Sequence, residues 1–424
     1  MNNSILCSGR IKIPRCRNLL PSLLEYLWAV MLVLNGNSVY HASSIQDYYL
    51  LESCLILTYL LLVVYLFLKR IHLYSNDLTI SVGLALYGVT YLCAQQGNMS
   101  SSDFAMLFVI GLPGLYLLFC QMRREGMLLP LMRKVENVVC VLAAISLFFW
   151  FFGVVFEVIR PNMRTYITWG RFGWIEGFSG LHFKIQLDTT FFKDQFLYRN
   201  SGIFAEAPML NLWLDFALAI ELFMRDKVSR LRITLLVVTI FTTMSLTGFF
   251  FLALCLVLNL MRDHHTMSRK RHSFTVALIV VLILPALLVI IVYSMVLKTE
   301  TQSYLMRLTD YLSGIMLWSD NPIFGSGYGN LRSIMEYSYS PNGTLGFSNS
   351  LTAVLGTGGL WMALLFYFPH FGATLQRWSG SKQLSCFAIC NLFLFCTTAY
   401  FARYLAVTMI ALELALLQRP WKEN

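Results

Sequence analysis

The chain has 424 residues, of which 57% are hydrophobic and only 13% are charged, and its mean hydropathy is +0.63. A soluble domain carries roughly 25% charged residues, so this composition excludes an ordinary soluble protein and predicts a polytopic membrane protein. The formal net charge of +10 would favour nucleic-acid binding in a soluble chain. Cytoplasmic loops of membrane proteins collect Lys and Arg, so we predict no nucleic-acid partner.

Apolar segments of spanning length follow one another along the chain. A helix needs about 20 apolar residues to cross a hydrocarbon core of about 30 Å. Segments that meet this requirement lie at residues 19–34, 48–68, 78–95, 104–120, 138–159, 207–224, 273–297 and 348–370. We interpret these eight segments as membrane-spanning helices.

Two further apolar stretches, Leu231–Met261 and Ser385–Gln418, are each too long for one upright helix. Basic residues flank both ends of each stretch, which places the two ends on the same side of the membrane. Each stretch is therefore predicted to cross twice, with turns at residues 245–248 and 400–403. The resulting prediction for residues 1–424 is one all-α transmembrane domain of about twelve helices, with both termini cytoplasmic.

Two large polar loops, residues 160–206 and 298–346, are predicted on the side opposite the termini. Lys and Arg number 22 on the predicted cytoplasmic side and 10 on the other, which together are all 32. Long loops rich in Gly, Pro and aromatic residues often carry binding and catalysis. We therefore predict that the two loops build one active site on the outer face.

The first loop is rich in Arg, Trp, Phe and Tyr. Aromatic faces suit sugars, and guanidinium groups bind phosphate oxygens in pairs. The alternative is an interfacial belt, in which aromatic residues lie at the depth of the lipid headgroups.

Cofactor motifs are weak in this sequence. The glycine spacing at Gly325, Gly327 and Gly329 is neither a Rossmann nor a Walker motif, and it is either an anion-contacting turn or a plain tight turn. Cys386 and Cys390 are four residues apart, but no third ligand is placed to complete a metal site. We predict no metal, no nucleotide and no disulfide.

Three motifs occur in one order along the chain. Residues 198–208 read YRNSGIFAEAP, residues 243–248 read TMSLTG, and Arg307 and Trp318 precede NPIFGSGYGN at residues 321–330. These runs resemble the R-x-x-G-x-F-x-E-P, S-x-T/S-G and R…W…NP elements of the bacterial O-antigen polymerase and ligase superfamily. Here Ala207 stands between the Glu and the Pro. The resemblance covers about residues 195–370.

The resemblance implies an O-antigen polymerase of the bacterial inner membrane, acting in lipopolysaccharide or related polysaccharide biosynthesis. Such a glycosyltransferase joins undecaprenyl-diphosphate-linked oligosaccharides, its donor and acceptor, at the periplasmic face. Membrane lipids, a chain-length regulator and a flippase are the other partners that it implies. The alternatives are a ligase that transfers glycan to lipid A core, and a flippase or exporter of lipid-linked oligosaccharides.

The resemblance assigns Arg199 and Arg307 to the diphosphate. Where ligases carry a functional histidine this chain has Ser348, which cannot act as a base unaided, so Glu206 is the predicted base. His182 is the competing candidate, although a lone loop histidine is more often a surface polar group. The predicted substrate-binding residues are Arg171, His182, Asp215, Tyr328, Asn330, Arg332, Asn349 and Arg403.

Overall fold

The structure, a computed structural model, describes residues 19–42, 47–68, 73–95, 97, 99–168, 173–187, 197–225, 227–262, 302–337, 347–375 and 382–418. It is mostly helical, at 75%. Among the described residues, five helices are long and apolar enough to cross a membrane: Tyr49–Leu68, Ser75–Ala94, Ser101–Arg124, Leu128–Val155 and Ser350–Leu375. The chain is a helical membrane protein. The predicted span 273–297 lies outside the described residues.

The described helices run in the following order. They are α1 Leu19–Asn35, α2 Val39–Ala42, α3 Asp47–Leu68, α4 Ser75–Ala94, α5 Ser101–Phe104, α6 Leu112–Arg124, α7 Leu128–Phe149, α8 Ala207–Phe223, α9 Arg230–Thr243, α10 Leu246–Arg262, α11 Gln302–Asp320, α12 Leu331–Met335, α13 Ser350–Leu375, α14 Lys382–Thr397 and α15 Tyr404–Leu417. The π-helical segments Ala105–Gly111 and Trp150–Val155 join α5 to α6 and extend α7.

Both long apolar stretches are divided into two helices. The first stretch breaks between α9 and α10, where Met244 adopts a left-handed conformation with φ 50°. The second breaks between α14 and α15. There the Ser350 hydroxyl donates to the Thr398 carbonyl at 2.6 Å and accepts from the Tyr400 N–H at 2.9 Å. These side-chain bonds satisfy backbone groups that the break leaves without a helical partner.

The first loop contains a small sheet, so the all-α prediction is incomplete. Strands β1 Met163–Ile167, β2 Gly173–Phe178 and β3 His182–Lys184 pair antiparallel in that order. The sheet buries Ile167, Ile175 and Phe183 against Val39 of α2. Strands of three to six residues carry too few apolar positions for a hydropathy profile to separate them from a polar loop.

Helices α11 and α13 approach each other at two glycines. A Cβ added to Gly314 would lie 2.7 Å from the Thr352 carbonyl oxygen, and one added to Gly356 would lie 2.7 Å from the Gly314 carbonyl oxygen. Backbone therefore packs directly on backbone at this crossing. Because Asp310 lies one turn before Gly314 on α11, the crossing also sets the position of Asp310 beside the start of α13.

Several chain segments meet at one end of the helix bundle. We call this the loop end, formed by Asn35 and residues 199–206, 242–248, 307–310, 347–350 and 398–404. The Tyr404 N–H donates to Asn35 Oδ1 at 3.1 Å, and Ser38 forms a β-bridge with Phe204. These bonds tie the end of α1 and the start of α15 to the segment that precedes α8.

We expect Gly314→Ala to destabilise the protein and Gly83→Ala to leave it unchanged or slightly more stable. The added methyl at Gly314 meets backbone at 2.7 Å, whereas the one at Gly83 has nothing within 4 Å. Overpacking costs about 1–3 kcal/mol, and alanine in an open helical position gains up to about 1 kcal/mol over glycine. Thermal unfolding in detergent measures both, and equal shifts for the two variants would contradict the close crossing.

Candidate active site

Asn200 anchors the first motif to the helix bundle. Its side chain is fully buried, with Nδ2 donating to Thr242 Oγ1 at 2.9 Å and the backbone N–H donating to the Thr242 carbonyl at 3.0 Å. Asn200 Oδ1 also accepts from the Gly202 N–H at 3.2 Å, and Gly202 has φ 54°, which favours glycine. The motif is therefore held against the end of α9 by an amide side chain.

Arg199 points to the same helix end. Its Nε donates to the Thr243 carbonyl at 2.8 Å. Thr243 is the last residue of α9, whose final carbonyls lack intrahelical partners and carry the negative end of the helix dipole. A cation is favoured at this position. The bond from Arg199 to Thr243 joins the first motif to the second.

Gly248 of the second motif makes room for a polar side chain of α8. A Cβ at Gly248 would lie 2.2 Å from Asn211 Oδ1. The same Oδ1 accepts a 3.4 Å hydrogen bond from Thr243 Oγ1, and Asn211 Nδ2 donates to Asp215 Oδ2 at 2.6 Å. Asp215 is fully buried one turn after Asn211 on α8, where it holds the Asn211 amide in place.

Arg307 lies between the second motif and two carboxylates. Its Nη1 donates to Thr247 Oγ1 at 3.4 Å. Burial lowers the pKa of Arg307, while Asp310 and Glu206 act in the opposite direction. The guanidinium stays protonated at neutral pH because its ordinary pKa is far above 7. Arg307 is thus a partly desolvated cation with anionic neighbours from two different segments.

Glu206 precedes α8 at the helix N-cap position. Its backbone is extended, with φ −150° and ψ 150°, and its carbonyl accepts from the Met209 N–H at 3.0 Å. The N-terminal dipole of α8 favours a negative charge here. The Glu206 carboxylate interacts electrostatically with Arg307 and acts to raise the pKa of that guanidinium.

Asp310 is a site residue that sequence reasoning missed. The Ser348 N–H donates to Asp310 Oδ2 at 3.0 Å. Burial raises the pKa of Asp310 to about 6, although Ser348 and Arg307 both act to lower it. The available sequence signal was the spacing, because residues three apart on a helix share a face and Asp310 follows Arg307 by three.

Asn349 follows Ser348 and immediately precedes α13. Asn349 Oδ1 accepts from the Thr352 N–H at 2.8 Å and from Thr352 Oγ1 at 3.0 Å, which is an N-terminal helix cap. The structure therefore brings together Arg199, Glu206, Arg307 and Asn349, with Asp215 behind them.

The glycine turn is a packing element. The N–H groups of Ser326 and Gly327 donate to the carbonyls of Gly356 and Thr357, at 3.3 and 3.0 Å. Those two donors are occupied and do not face an anion. Gly325, with φ 68°, would bring a Cβ within 2.4 Å of the Thr357 backbone. The tight-turn interpretation therefore describes this segment.

The remaining predicted residues make contacts of their own. Tyr328 is buried in the core and donates to the Phe401 carbonyl at 2.6 Å. Asn330 accepts from Ser333 Oγ through its carbonyl at 2.8 Å, and Arg332 is exposed on α12. Arg403 forms a 2.7 Å hydrogen bond with His41. Arg171 lies outside the described residues.

His182 is buried in β3, which corrects the expectation of a surface polar group. Its ring lies 5.9 Å from the ring of Phe178. Neither ring nitrogen has a hydrogen-bond partner among the described residues. Burial, assisted by Lys184, lowers the pKa of His182 to about 3, so the ring is neutral and packs as an aromatic side chain.

Comparison with known proteins adds no family assignment. No protein-family model matches the chain, and no curated protein matches it. A functional conclusion therefore depends on the motifs and on the geometry at the loop end.

We expect His182→Phe to reduce the loss of stability in acid. The folded pKa of His182 is about 3, and the unfolded value is about 6.5, so the unfolded state binds the extra proton between these values. The contribution of His182 to stability therefore falls with decreasing pH through this window, by about 1 kcal/mol per unit. Phenylalanine keeps the ring contact and cannot bind the proton. Unfolding temperatures in detergent at pH 7 and pH 5 measure the difference, and identical pH dependence in both proteins would contradict the buried neutral histidine.

Proposed function

We propose that the protein is a membrane glycosyltransferase. It polymerises undecaprenyl-diphosphate-linked oligosaccharide repeat units into O-antigen or a related surface polysaccharide. The observation that carries the proposal is the meeting of three separated motifs, in which Arg199 and Arg307 bind the two residues Thr243 and Thr247 of one turn. Glu206 interacts electrostatically with Arg307.

The chemistry needs a stabilised leaving group and a positioned nucleophile. An acceptor hydroxyl attacks the anomeric carbon of the donor, and undecaprenyl diphosphate departs with the bonding electron pair. Arginines bind phosphate oxygens in pairs and stabilise the developing charge most strongly where water is partly excluded. Arg307 meets this condition because its side chain is partly desolvated. The proposal includes no metal or nucleotide cofactor.

The proposal also includes an orientation. Both termini lie in the cytoplasm, and the loop end faces the periplasm of a bacterial inner membrane. Lipid-linked oligosaccharides, as donor and acceptor, enter from the membrane. A chain-length regulator and a flippase are the further partners that the proposal includes. The support is the distribution of Lys and Arg, with 22 on one side and 10 on the other.

Buried carboxylates within the helices favour a transferase over a transporter. Glu25 pairs with Lys134, Glu221 pairs with Arg225 at 2.8 Å, and Glu413 pairs with His370 at 2.6 Å. Each of these three carboxylates thus has a basic side chain beside it. A transporter requires polar groups that line a path across the membrane. The Glu25 and Glu413 pairs instead join neighbouring helices, and the Glu221 pair lies at the end of α8.

Replacing either Arg199 or Arg307 with lysine is expected to stop polymer synthesis. Arg199→Lys and Arg307→Lys keep the charge and remove the paired donors, which we expect to lower turnover about 100-fold. The measurement uses purified protein in detergent with lipid-linked repeat units, scored as a polymer ladder on a gel.

Arg164→Lys is the matched control for these variants. Arg164 lies in the same predicted loop as Arg199. Its side chain is 70% exposed, and it forms a surface ion pair with Glu176 at 3.0 Å. Exposed pairs contribute little, so this variant should keep normal synthesis. Full activity of both Arg199→Lys and Arg307→Lys at normal expression would refute the assignment.

The assignment of Glu206 as the base stays a prediction with its own experiment. If Glu206 accepts the proton, Glu206→Gln abolishes polymer while donor binding persists, because glutamine keeps the shape and cannot accept the proton. His182→Ala should leave the chemistry nearly unchanged. An active Glu206→Gln variant would assign the base to another residue.

A further inference from the structure

We propose that Asp310, Ser348 and Asn349 form the subsite that binds the acceptor sugar hydroxyl, with the Asp310 carboxylate as the group that accepts its proton. This inference rests on the proposed glycosyl transfer and names the acceptor side of the same site. It assigns the base to Asp310 in place of Glu206.

The first observation is the position of the Asp310 carboxylate. Asp310 is only 5% exposed, and the Ser348 N–H holds its Oδ2 at 3.0 Å. An ionised carboxylate can accept about four hydrogen bonds, so this bond leaves capacity for a substrate hydroxyl. The main-chain donor fixes the orientation of the carboxylate, and the crossing of α11 and α13 at Gly314 fixes its distance from Ser348.

The second observation is an unused buried donor beside the carboxylate. Asn349 is 1% exposed, and its Oδ1 is occupied by the cap of α13. Its Nδ2 has no hydrogen-bond partner among the described residues. A buried donor without a partner is destabilising, and a sugar oxygen at this position would satisfy it. An acceptor oligosaccharide supplies both a hydroxyl for Asp310 and a neighbouring oxygen for Asn349.

The third observation is the adjacency to the proposed diphosphate site. Arg307 precedes Asp310 by three residues on α11, so both side chains lie on one face of the helix. Arg307 also bonds Thr247 and interacts with Glu206. A donor diphosphate on Arg307 would therefore lie next to a hydroxyl on Asp310, which is the arrangement that transfer requires.

Asp310 is better suited to proton transfer than Glu206. Glu206 lies at the N-terminus of α8, where the helix dipole stabilises a negative charge. Burial raises the pKa of Asp310 to about 6, which is close to the working pH of a general base. Asp310 and Arg307 act on each other. The other charged or titratable groups that act on this pair are Tyr311, on the same helix, and Glu206.

The step balances without a further reactant. The acceptor O–H bond breaks and its proton passes to Asp310, while the oxygen forms a bond to the anomeric carbon of the donor. The bond from that carbon to the diphosphate breaks, and the electron pair leaves with the undecaprenyl diphosphate. Asp310 then releases the proton to water.

Asp310→Asn is the direct test, and Asp320→Asn is its matched control. Asparagine can still accept from the Ser348 N–H, so the local fold is kept. We expect kcat for polymer synthesis to fall about 100-fold or more, with binding of undecaprenyl diphosphate retained. Asp320 lies on the exposed end of the same helix, where its carboxylate bonds Tyr337. The control should therefore keep wild-type turnover.

Asn349→Asp tests the donor separately. Aspartate retains the cap oxygen and is a good N-cap residue, but it removes the Nδ2 donor. We expect a higher KM for the acceptor with unchanged binding of undecaprenyl diphosphate. An unchanged acceptor KM would overturn the role of Asn349.

The pH profile provides a readout that does not depend on the folding of the Asp310 variant. The base must be ionised, so kcat of the wild type should rise with pH through about 6. The same rise of kcat with pH should be seen in Glu206→Gln. Wild-type turnover by Asp310→Asn, or loss of this rise in Glu206→Gln, would overturn the inference and leave the proposed function intact. A wild-type enzyme that binds undecaprenyl diphosphate and makes no polymer from lipid-linked units would refute the proposed function itself.

Discussion

A guanidinium group removed from bulk water is the constraint around which the loop end is arranged. Burying Arg307 costs solvation energy, and partners must offset that cost. Asp310 comes from the helix of Arg307 itself, whereas Thr247 and Glu206 come from two segments that are distant along the chain. Each of these segments must fold before the cation has its full set of partners. Arg307, whose charge the proposed chemistry uses, therefore has all of these partners only in the assembled helix bundle.

Small residues allow the segments to approach closely enough. Gly248 leaves space for the Asn211 side chain, and Gly314 lets α11 lie against the backbone of α13. Close backbone contact and side-chain hydrogen bonds connect the segments at these places. The same glycines that bring the helices together also place Asn211 and Asp310 within the site.

Polar side chains in this protein serve mainly as connections between segments. Asn200 joins the first loop to α9, Asn35 joins α1 to α15, and Ser350 joins α13 to the turn after α14. Each of these groups is buried and hydrogen-bonded, as buried polar atoms are in most proteins. Asn349 Nδ2 differs, since its partner is missing among the described residues. A substrate oxygen at this position would satisfy the Asn349 donor.

The sequence alone determined the class of the protein and the breaks in its long apolar stretches, because hydropathy and basic flanks are properties of local composition. It also indicated Arg199, Glu206 and Arg307, whose motifs are continuous or closely spaced. The small sheet, the burial of His182 and the pairing of Ser348 with Asp310 were decided only by the tertiary structure. His182 has no local signature, and the spacing from Arg307 gives Asp310 only a shared helix face. The surroundings of both residues come from segments that meet only when the chain is folded. Desolvation and hydrogen bonding depend on those neighbours, so they set the chemistry of such residues only in the assembled bundle.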